Sequence, residues 1–155
     1  MLQFSFDGIA VVELLINSGA DVNLVIGGTK HVALVSALHQ EKIEATKLLV
    51  ESGSNVNHVD ANGETPIMRI AYFDREDHVR CLLENGASVK GRNIYSGDEI
   101  LHHAAFGGFP GMIRLLIGAG AEINVTNKEG NTPLQVAHKR GKNKAVQELL
   151  KAGAV

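Results

Sequence analysis

The sequence predicts an all-α solenoid, in which short helix–turn–helix units stack side by side. One phrase recurs along the chain, for example as LLINSGADVN from Leu14 and as LLIGAGAEIN from Leu115. The five copies are marked by glycines that are 33 or 34 residues apart: Gly19, Gly53, Gly86, Gly120 and Gly153. A period of this length indicates stacked repeats, because a single helix pair cannot bury its own apolar face.

The composition fits a single folded domain, residues 1–155. Hydrophobic residues make up 45% of the chain and charged residues 21%, which favours a packed core over disorder. The net charge of −2 argues against a nucleic-acid-binding surface along the whole chain. No apolar run approaches the ~20 residues of a membrane span, and the lone Cys81 fits a reducing compartment. We therefore expect an intracellular protein, cytoplasmic or nuclear, or one in a host cytosol if it is an effector.

The third unit, residues 60–93, shows best why these residues form a helix pair. Asp60 and Gly63 are turn residues, since aspartate bonds its own backbone and glycine tolerates a positive φ. Thr65 can cap a helix N-terminus, and Pro66 suits the first helical position, where a missing N–H costs nothing. Apolar residues then recur at helical spacing in two helices: Ile67, Ile70, Ala71, Val79, Leu82 and Leu83.

The other units repeat this pattern with differences, and each second helix is expected to end at one of the recurring glycines. We place the units at about residues 1–26, 27–59, 60–93, 94–126 and 127–155. The second unit is degenerate at its start, where Lys30 stands in place of a glycine and Val32 and Ala33 in place of Thr-Pro. The first unit is partial, because most of its first helix would precede Met1.

Three of the units carry a motif that resembles the ankyrin repeat. The segments GETPIMRIA, EILHHAA and GNTPLQVA match its T-P-L-H-x-A signature, and each is followed by the glycine phrase at a fixed distance. The resemblance extends from about Ile9 to Val155. It implies about four full repeats plus a partial N-terminal one, hairpin-like loops that project sideways, and an extended concave surface that binds a protein partner.

The histidines and the cysteine offer little support for catalysis. His102 falls in the family's own histidine column, which implies a bond to local backbone. His31 and His39 would face the concave side together, but two ligands do not make a zinc site, which needs three or four. Cys81 stands in a leucine column and is expected to pack. We therefore expect no enzyme, no cofactor and no metal, and a hydrolase using His31, His39 and a carboxylate is a remote alternative.

The last unit contains a basic cluster of four side chains: Lys139, Arg140, Lys142 and Lys144. A polar outer face is what the end of a stack needs to stay soluble, so we interpret the cluster first as a solvated cap. The alternative is a patch that contacts an anionic partner. The segment GGTKH from Gly27 lacks the spacing of a phosphate loop, which argues against nucleotide binding.

The resemblance implies that a partner meets the loop tips and the exposed positions of the first helices. By column, the candidates are Tyr72, Phe73, Tyr95, Phe106, Arg92, Asp98, Glu64, His39, Asn131 and Arg140. Four of the seven aromatic residues lie in these columns, and aromatic side chains are enriched at binding hot spots. We predict that these four form a central hot spot, flanked by Arg92 and Asp98. The alternative is that Phe73 and Phe109 fold back over irregular helix ends.

Three asparagines end the recurring phrase: Asn23, Asn57 and Asn124. Each follows, by eight residues, a leucine that is expected to face inward: Leu15, Leu49 and Leu116. The asparagines resemble the position that asparaginyl hydroxylases modify in many ankyrin repeats, so hydroxylation is one expectation. The other expectation is structural, namely that these side chains tie adjacent loops together.

The sequence thus predicts a non-enzymatic scaffold that binds a protein partner and neither binds nucleic acid nor inserts into a membrane. As an alternative, the chain is the targeting module of a larger enzyme or effector. Phe4, Phe6 and Ile9 begin in mid-unit, which predicts an uncovered apolar face at the N-terminal end. We expect a piece of a longer chain, as a monomer or as a weak dimer through this end.

Overall fold

A computed structural model describes residues 8–25 and 32–155 of the chain. Over these ranges the backbone forms helices and loops without a strand. The helices are α1 (Gly8–Asn17), α2 (Ala33–His39), α3 (Ile43–Glu51), α4 (Pro66–Ile70), α5 (Glu76–Glu84), α6 (Ile100–Gly107), α7 (Pro110–Gly118), α8 (Pro133–Lys139) and α9 (Asn143–Lys151). Helices α2, α4, α6 and α8 pack side by side in one layer, and α1, α3, α5, α7 and α9 form the other. This arrangement confirms the predicted all-α solenoid.

The core lies between the two layers and contains the apolar residues that recur at helical spacing. In the third unit, five of them are fully buried: Ile67, Ile70, Ala71, Val79 and Leu82. Ala104 and Ala105 are also fully buried, and their small size lets α6 lie close to its neighbours. The prediction that Leu15 faces inward is wrong, since 53% of its surface is exposed. Helix α1 packs on α3, and the described residues place no first helix of the first unit beside it.

The first helices differ in how their N-termini are capped. In α8, Thr132 Oγ1 accepts a hydrogen bond from the Gln135 N–H at 3.3 Å, and the Gln135 side chain accepts one from the Thr132 N–H at 2.8 Å. In α6, His102 Nδ1 accepts the N–H of the cap residue at 3.0 Å, which confirms its predicted local backbone bond. Thr65 occupies the cap position of α4, but the predicted cap is wrong, because its hydroxyl has no partner among the described residues. Met68, the third residue of that helix, offers no polar group to complete a reciprocal pair.

The second helices end on a glycine in the left-handed conformation. After α5, Gly86 has a φ of 84°. Backbone hydrogen bonds from Gly86 N to Leu83 O (3.0 Å) and from Ala87 N to Leu82 O (2.9 Å) close the last turn. A Cβ at Gly86 would meet no atom within 4 Å, so the backbone conformation, and not space, requires glycine there. This geometry explains the recurring glycines of the sequence.

The loops between units project from the helices as fingers. Each of the three fingers between residues 57 and 132 is held by one polar residue whose side chain accepts backbone N–H groups two to four residues further on: Asp60, Asn93 and Asn127. Neighbouring fingers pair through the backbone, from Ile94 N to Asn62 O and from Lys128 N to Ser96 O, both at 2.8 Å. The fingers therefore form a continuous edge beside the first helices.

The start of the second unit falls in residues 26–31, outside the described ranges, and with it the GGTKH segment and His31. Helix α2 follows Val32, which is extended and makes no side-chain cap bond. Phe4 and Phe6 of the predicted N-terminal face also lie outside the described residues. On α1, Leu14 is 66% exposed.

Candidate partner-binding surface

Glu64, Asp98 and Asn131 occupy one column of the repeat, and the first two connect neighbouring fingers. Asn93 Nδ2 donates to Glu64 Oε1 at 2.9 Å, and Asn127 Nδ2 donates to Asp98 Oδ1 at 2.8 Å. Glu64 and Asn131 are buried, whereas Asp98 is half-buried. Of these three predicted contacts, Asp98 therefore presents the most surface to a partner, whereas the other two are buried beneath the fingers.

A buried polar cluster, which the sequence did not predict, lies behind this column. His103 Nδ1 is 2.9 Å from the Met68 carbonyl, so this nitrogen carries the proton and donates it. The other ring nitrogen faces Glu64 Oε1 at 3.6 Å without a hydrogen bond. Burial lowers the pKa of His103, although the Met68 carbonyl and the Glu64 carboxylate oppose this. The adjacent histidines His102 and His103 are visible in the sequence, but the enclosure of His103 depends on contacts with the previous unit.

Tyr72, Phe106 and Arg140, from three successive units, form a line of contacting side chains that we call the aromatic row. The Tyr72 ring stacks on His103 with a centroid distance of 4.2 Å and meets Phe106 edge-on at 5.7 Å. The Arg140 guanidinium carbon lies 4.0 Å from the centroid of the Phe106 ring. Burial and nearby carboxylates raise the pKa of Tyr72 to about 12, so the phenol stays protonated. Phe106 is 39% exposed, which leaves the middle of the row accessible.

The other two aromatic residues of the predicted hot spot lie apart from the aromatic row. Phe73 is 42% exposed, and the Arg75 guanidinium lies 4.8 Å from its ring centroid. Tyr95, on a finger, is 70% exposed. Within the described residues, neither ring pairs with Tyr72 or Phe106. Phe109 packs against the core, as the alternative expected, whereas Phe73 stays at the surface.

The aromatic row borders a shallow pocket of about 200 Å³ between the fingers and the first helices. Tyr72, Phe106 and Val136 supply its apolar side. The remaining lining residues are polar or charged: Ser96, Asp98, His102, Asn127, Glu129, Asn131, Lys139 and Arg140. An apolar wall with a polar rim suits one anchoring side chain of a partner better than a whole small molecule.

The remaining candidates do not join this pocket. His39 is exposed on the last turn of α2, and the histidine paired with it in the metal hypothesis falls outside the described ranges. Residues 8–25 and 32–155 contain no group of three His, Cys, Asp or Glu side chains that could hold a metal ion. Cys81 is buried, as its leucine column predicted, and burial raises the pKa of its thiol. Arg92 pairs with Glu99 at 2.6 Å and is still 51% exposed.

The three asparagines tie each loop to the next, which confirms their structural role. Asn57 Nδ2 donates to Gly86 O at 2.9 Å, and Asn57 Oδ1 accepts the Ser88 N–H at 2.8 Å. Asn23 and Asn124 make the equivalent pairs of bonds. Lys90 occupies this column in the third unit, and a lysine side chain has no acceptor with which to complete the pair. The series of ties is therefore interrupted between the third and fourth units.

Stacked helix pairs with finger loops and a polar groove define a repeat scaffold, a class of protein that binds through an extended surface. The family described as "Ankyrin repeats (3 copies)" matches residues 2–93 and 90–155. This chain therefore belongs to the ankyrin-repeat family, whose repeats are protein–protein interaction modules and generally non-enzymatic. None of the helices in the described part of the chain combines the length and the apolar character that crossing a membrane requires.

Several relatives share this family. "Ankyrin repeat and KH domain-containing protein 1" of Homo sapiens is 38% identical over 105 residues, which are 67% of this chain and 4% of that protein. "B-cell lymphoma 3 protein homolog" of Mus musculus is 35% identical over 98 residues, 63% of this chain and 22% of the relative. "Transient receptor potential cation channel subfamily A member 1 homolog" of Caenorhabditis elegans is 32% identical over 112 residues, which are 72% of this chain and 9% of that protein. The chain spans less than a quarter of the length of each of these three relatives.

Proposed function

We propose that this protein binds a protein partner in the groove between the fingers and the first helices, with the aromatic row at its centre. One observation carries the proposal: Phe106 contacts both Tyr72 and Arg140, so the row spans three units, and it borders an open pocket. Tyrosine and arginine are enriched among the residues that dominate binding energies. Because Tyr72 is already packed on the buried His103, binding would order few additional groups.

The exposed finger tips supply a second region of contact in this proposal. Tyr95 and Arg92 project there, and Asp98 borders the pocket from the same finger. Phe73 and His39 extend the surface toward the second unit. We propose these five residues as peripheral contacts, which exclude water around the aromatic row and individually contribute less binding energy.

Phe106→Ala tests the proposed function in a pull-down from native lysate. We expect the captured partner to be lost, or its affinity to fall by about 2 kcal/mol or more, because the pocket loses its apolar wall and Arg140 its stacking surface. Phe73→Ala is the comparison: it removes a similarly exposed phenylalanine that we place at the periphery of the surface, so we expect a smaller loss of affinity than in Phe106→Ala. Thermal melting checks that both variants remain folded. Equal capture by Phe106→Ala and the wild type would refute the proposed site.

The small share of each relative that the chain covers favours a second candidate function. In this candidate, partner binding recruits a substrate or a location for a larger enzyme or effector to which the repeats belong. The coding sequence that flanks this segment distinguishes the two. A catalytic domain in the same reading frame supports the recruiting module, and further repeats alone support the scaffold.

We also propose Asn23, Asn57 and Asn124 as hydroxylation sites. All three are exposed, so an enzyme can reach them, but it must first release the hydrogen bonds that occupy the amide groups. Intact mass of the protein from its native cells tests this. One added oxygen atom for each site supports the modification, and an unmodified mass leaves the structural tie as their role.

A further inference from the structure

The charges of the chain are distributed unevenly, with a basic excess in the last unit. Residues 127–155 contain six lysines and arginines against two glutamates, whereas residues 1–126 contain nine basic and fifteen acidic residues. Lys139 and Arg140 bring this excess to the pocket beside the aromatic row. The last unit is therefore basic in a protein that is acidic elsewhere, and Lys139 and Arg140 present two of its charges to a groove that Asp98 and Glu129 also line.

Arg140 differs from every other arginine of this chain, all six of which the structure describes. Five arginines pair with a carboxylate: Arg69, Arg75, Arg80, Arg92 and Arg114. Arg140 has no such pair within the described residues and lies over the Phe106 ring instead. A guanidinium that stacks on a ring keeps its in-plane N–H donors available for a bidentate bond to a carboxylate.

Lys139, beside Arg140, also has unused donors. Its Nζ donates to Asn131 Oδ1 at 2.7 Å, an amide oxygen that leaves the positive charge uncompensated. Glu129, on the same rim, accepts from Asn131 Nδ2 at 3.0 Å and forms no ion pair with Lys139 within the described residues. Since an ammonium group carries three donors, two of those on Lys139 remain for a ligand.

We propose that the C-terminal end of the groove binds an acidic segment of the protein partner. One carboxylate pairs with Arg140 and another with Lys139, while an apolar side chain of the segment lies against Phe106. This inference rests on the proposed function and specifies the chemistry of the partner. Asp98 and Glu129 on the same pocket disfavour nucleic acid, whose charge continues along its whole length, whereas a peptide places its carboxylates at particular residues.

A short fluorescein-labelled peptide tests the inference by fluorescence anisotropy. It contains a central phenylalanine flanked by glutamates, and its matched control has glutamine at each glutamate position. We expect the acidic peptide to bind at least about tenfold more tightly, and its affinity to fall with added salt, because exposed charge pairs are screened. Equal affinities for the two peptides, or no binding of the acidic peptide at low salt, would overturn the inference.

Variants locate the contact. We expect Arg140→Gln to lower the affinity for the acidic peptide at least about tenfold. Arg140→Lys should lower this affinity by less, because lysine keeps the charge but cannot form the bidentate bond. Lys47→Gln, an exposed lysine of α3 in the other layer, is the control and should bind as the wild type does. Equal losses in Arg140→Gln and Lys47→Gln would indicate general charge attraction and overturn the site.

Three further outcomes separate this inference from its alternatives. A fluorescein-labelled single-stranded oligonucleotide of equal charge that bound as tightly as the peptide would indicate a general anion surface and overturn the choice of a protein segment. In the native pull-down, loss of the partner from Phe106→Ala but not from Arg140→Gln would overturn the acidic segment and leave the proposed function standing. If both variants still captured the partner, both the acidic segment and the proposed binding site would be refuted.

Discussion

His78 and His103 are buried in surroundings that disfavour the charged form of their rings. Burial lowers the pKa of His103, and burial together with the Arg75 charge lowers that of His78. The Nε2 atom of His78 also has no hydrogen-bond partner in the described part of the chain. An unfolded histidine titrates near a pKa of about 6.5, so below this pH the unfolded chain binds protons that the folded chain does not. The stability linked to these rings is therefore complete above that pH and is lost as the pH falls through it.

We expect the melting temperature to fall when the pH is lowered from about 7.5 to about 5.5, and to fall less in His78→Leu. Leucine removes the titrating ring and the buried nitrogen without a partner. Differential scanning fluorimetry at the two pH values measures both changes. His138→Gln, on an exposed position of α8, is the control and should show the wild-type fall. A His78→Leu variant with an undiminished fall would contradict this account of His78.

At the scale of the loop and the helix, contacts between neighbouring units decide which residues are tolerated. The asparagine ties are one such contact, and Lys90 is the position that lacks one. Gly107 is another, because a Cβ there would lie 2.6 Å from the Tyr72 carbonyl oxygen. Both features lie between the third and fourth units, so this junction is loosened at the loop and closely packed at the first helix.

Lys90→Asn should restore the missing tie, with its amide reaching the backbone at Gly120 and Glu122, the equivalents of the groups that Asn57 contacts. We expect the free energy of unfolding to rise by about 1 kcal/mol, since a net hydrogen bond contributes about 0.5–1.5 kcal/mol. Urea titration measures the change. Lys90→Ala is the control, because it removes the lysine without adding an amide. An equal rise in the free energy of unfolding in both variants would contradict the restored tie.

Gly107→Ala and Gly118→Ala form a matched pair of helical substitutions. Nothing lies within 4 Å of a Cβ at Gly118, so we expect Gly118→Ala to stabilise the protein by about 0.5 kcal/mol through helix propensity. Gly107→Ala should destabilise it by about 1–3 kcal/mol, because the Tyr72 backbone must move to make room. Urea titration of both variants gives the comparison. A stabilised Gly107→Ala would show that the close approach of the two units is absent.

At the scale of the whole molecule, the regular period of the sequence was enough to predict the fold. Each glycine such as Gly86 is required by its own backbone angle, and each helix by its own apolar spacing, so these features are readable locally. The site was less predictable. Lys139 shares the column of Tyr72 and Phe106, yet the side chain that lies over Phe106 is that of Arg140. Which of two adjacent side chains reaches a neighbouring unit depends on packing that spacing does not specify.

In a linear stack each unit contacts only its neighbours, so resistance to opening varies from one junction to the next. The junction without an asparagine tie, between the third and fourth units, is also the one that Tyr72 and Phe106 bridge. A partner bound along the aromatic row would contact both units and so hold this junction together. The free protein holds this junction without a loop tie, so a bound partner would raise its resistance to opening, and binding would make the stack stiffer under a pulling force.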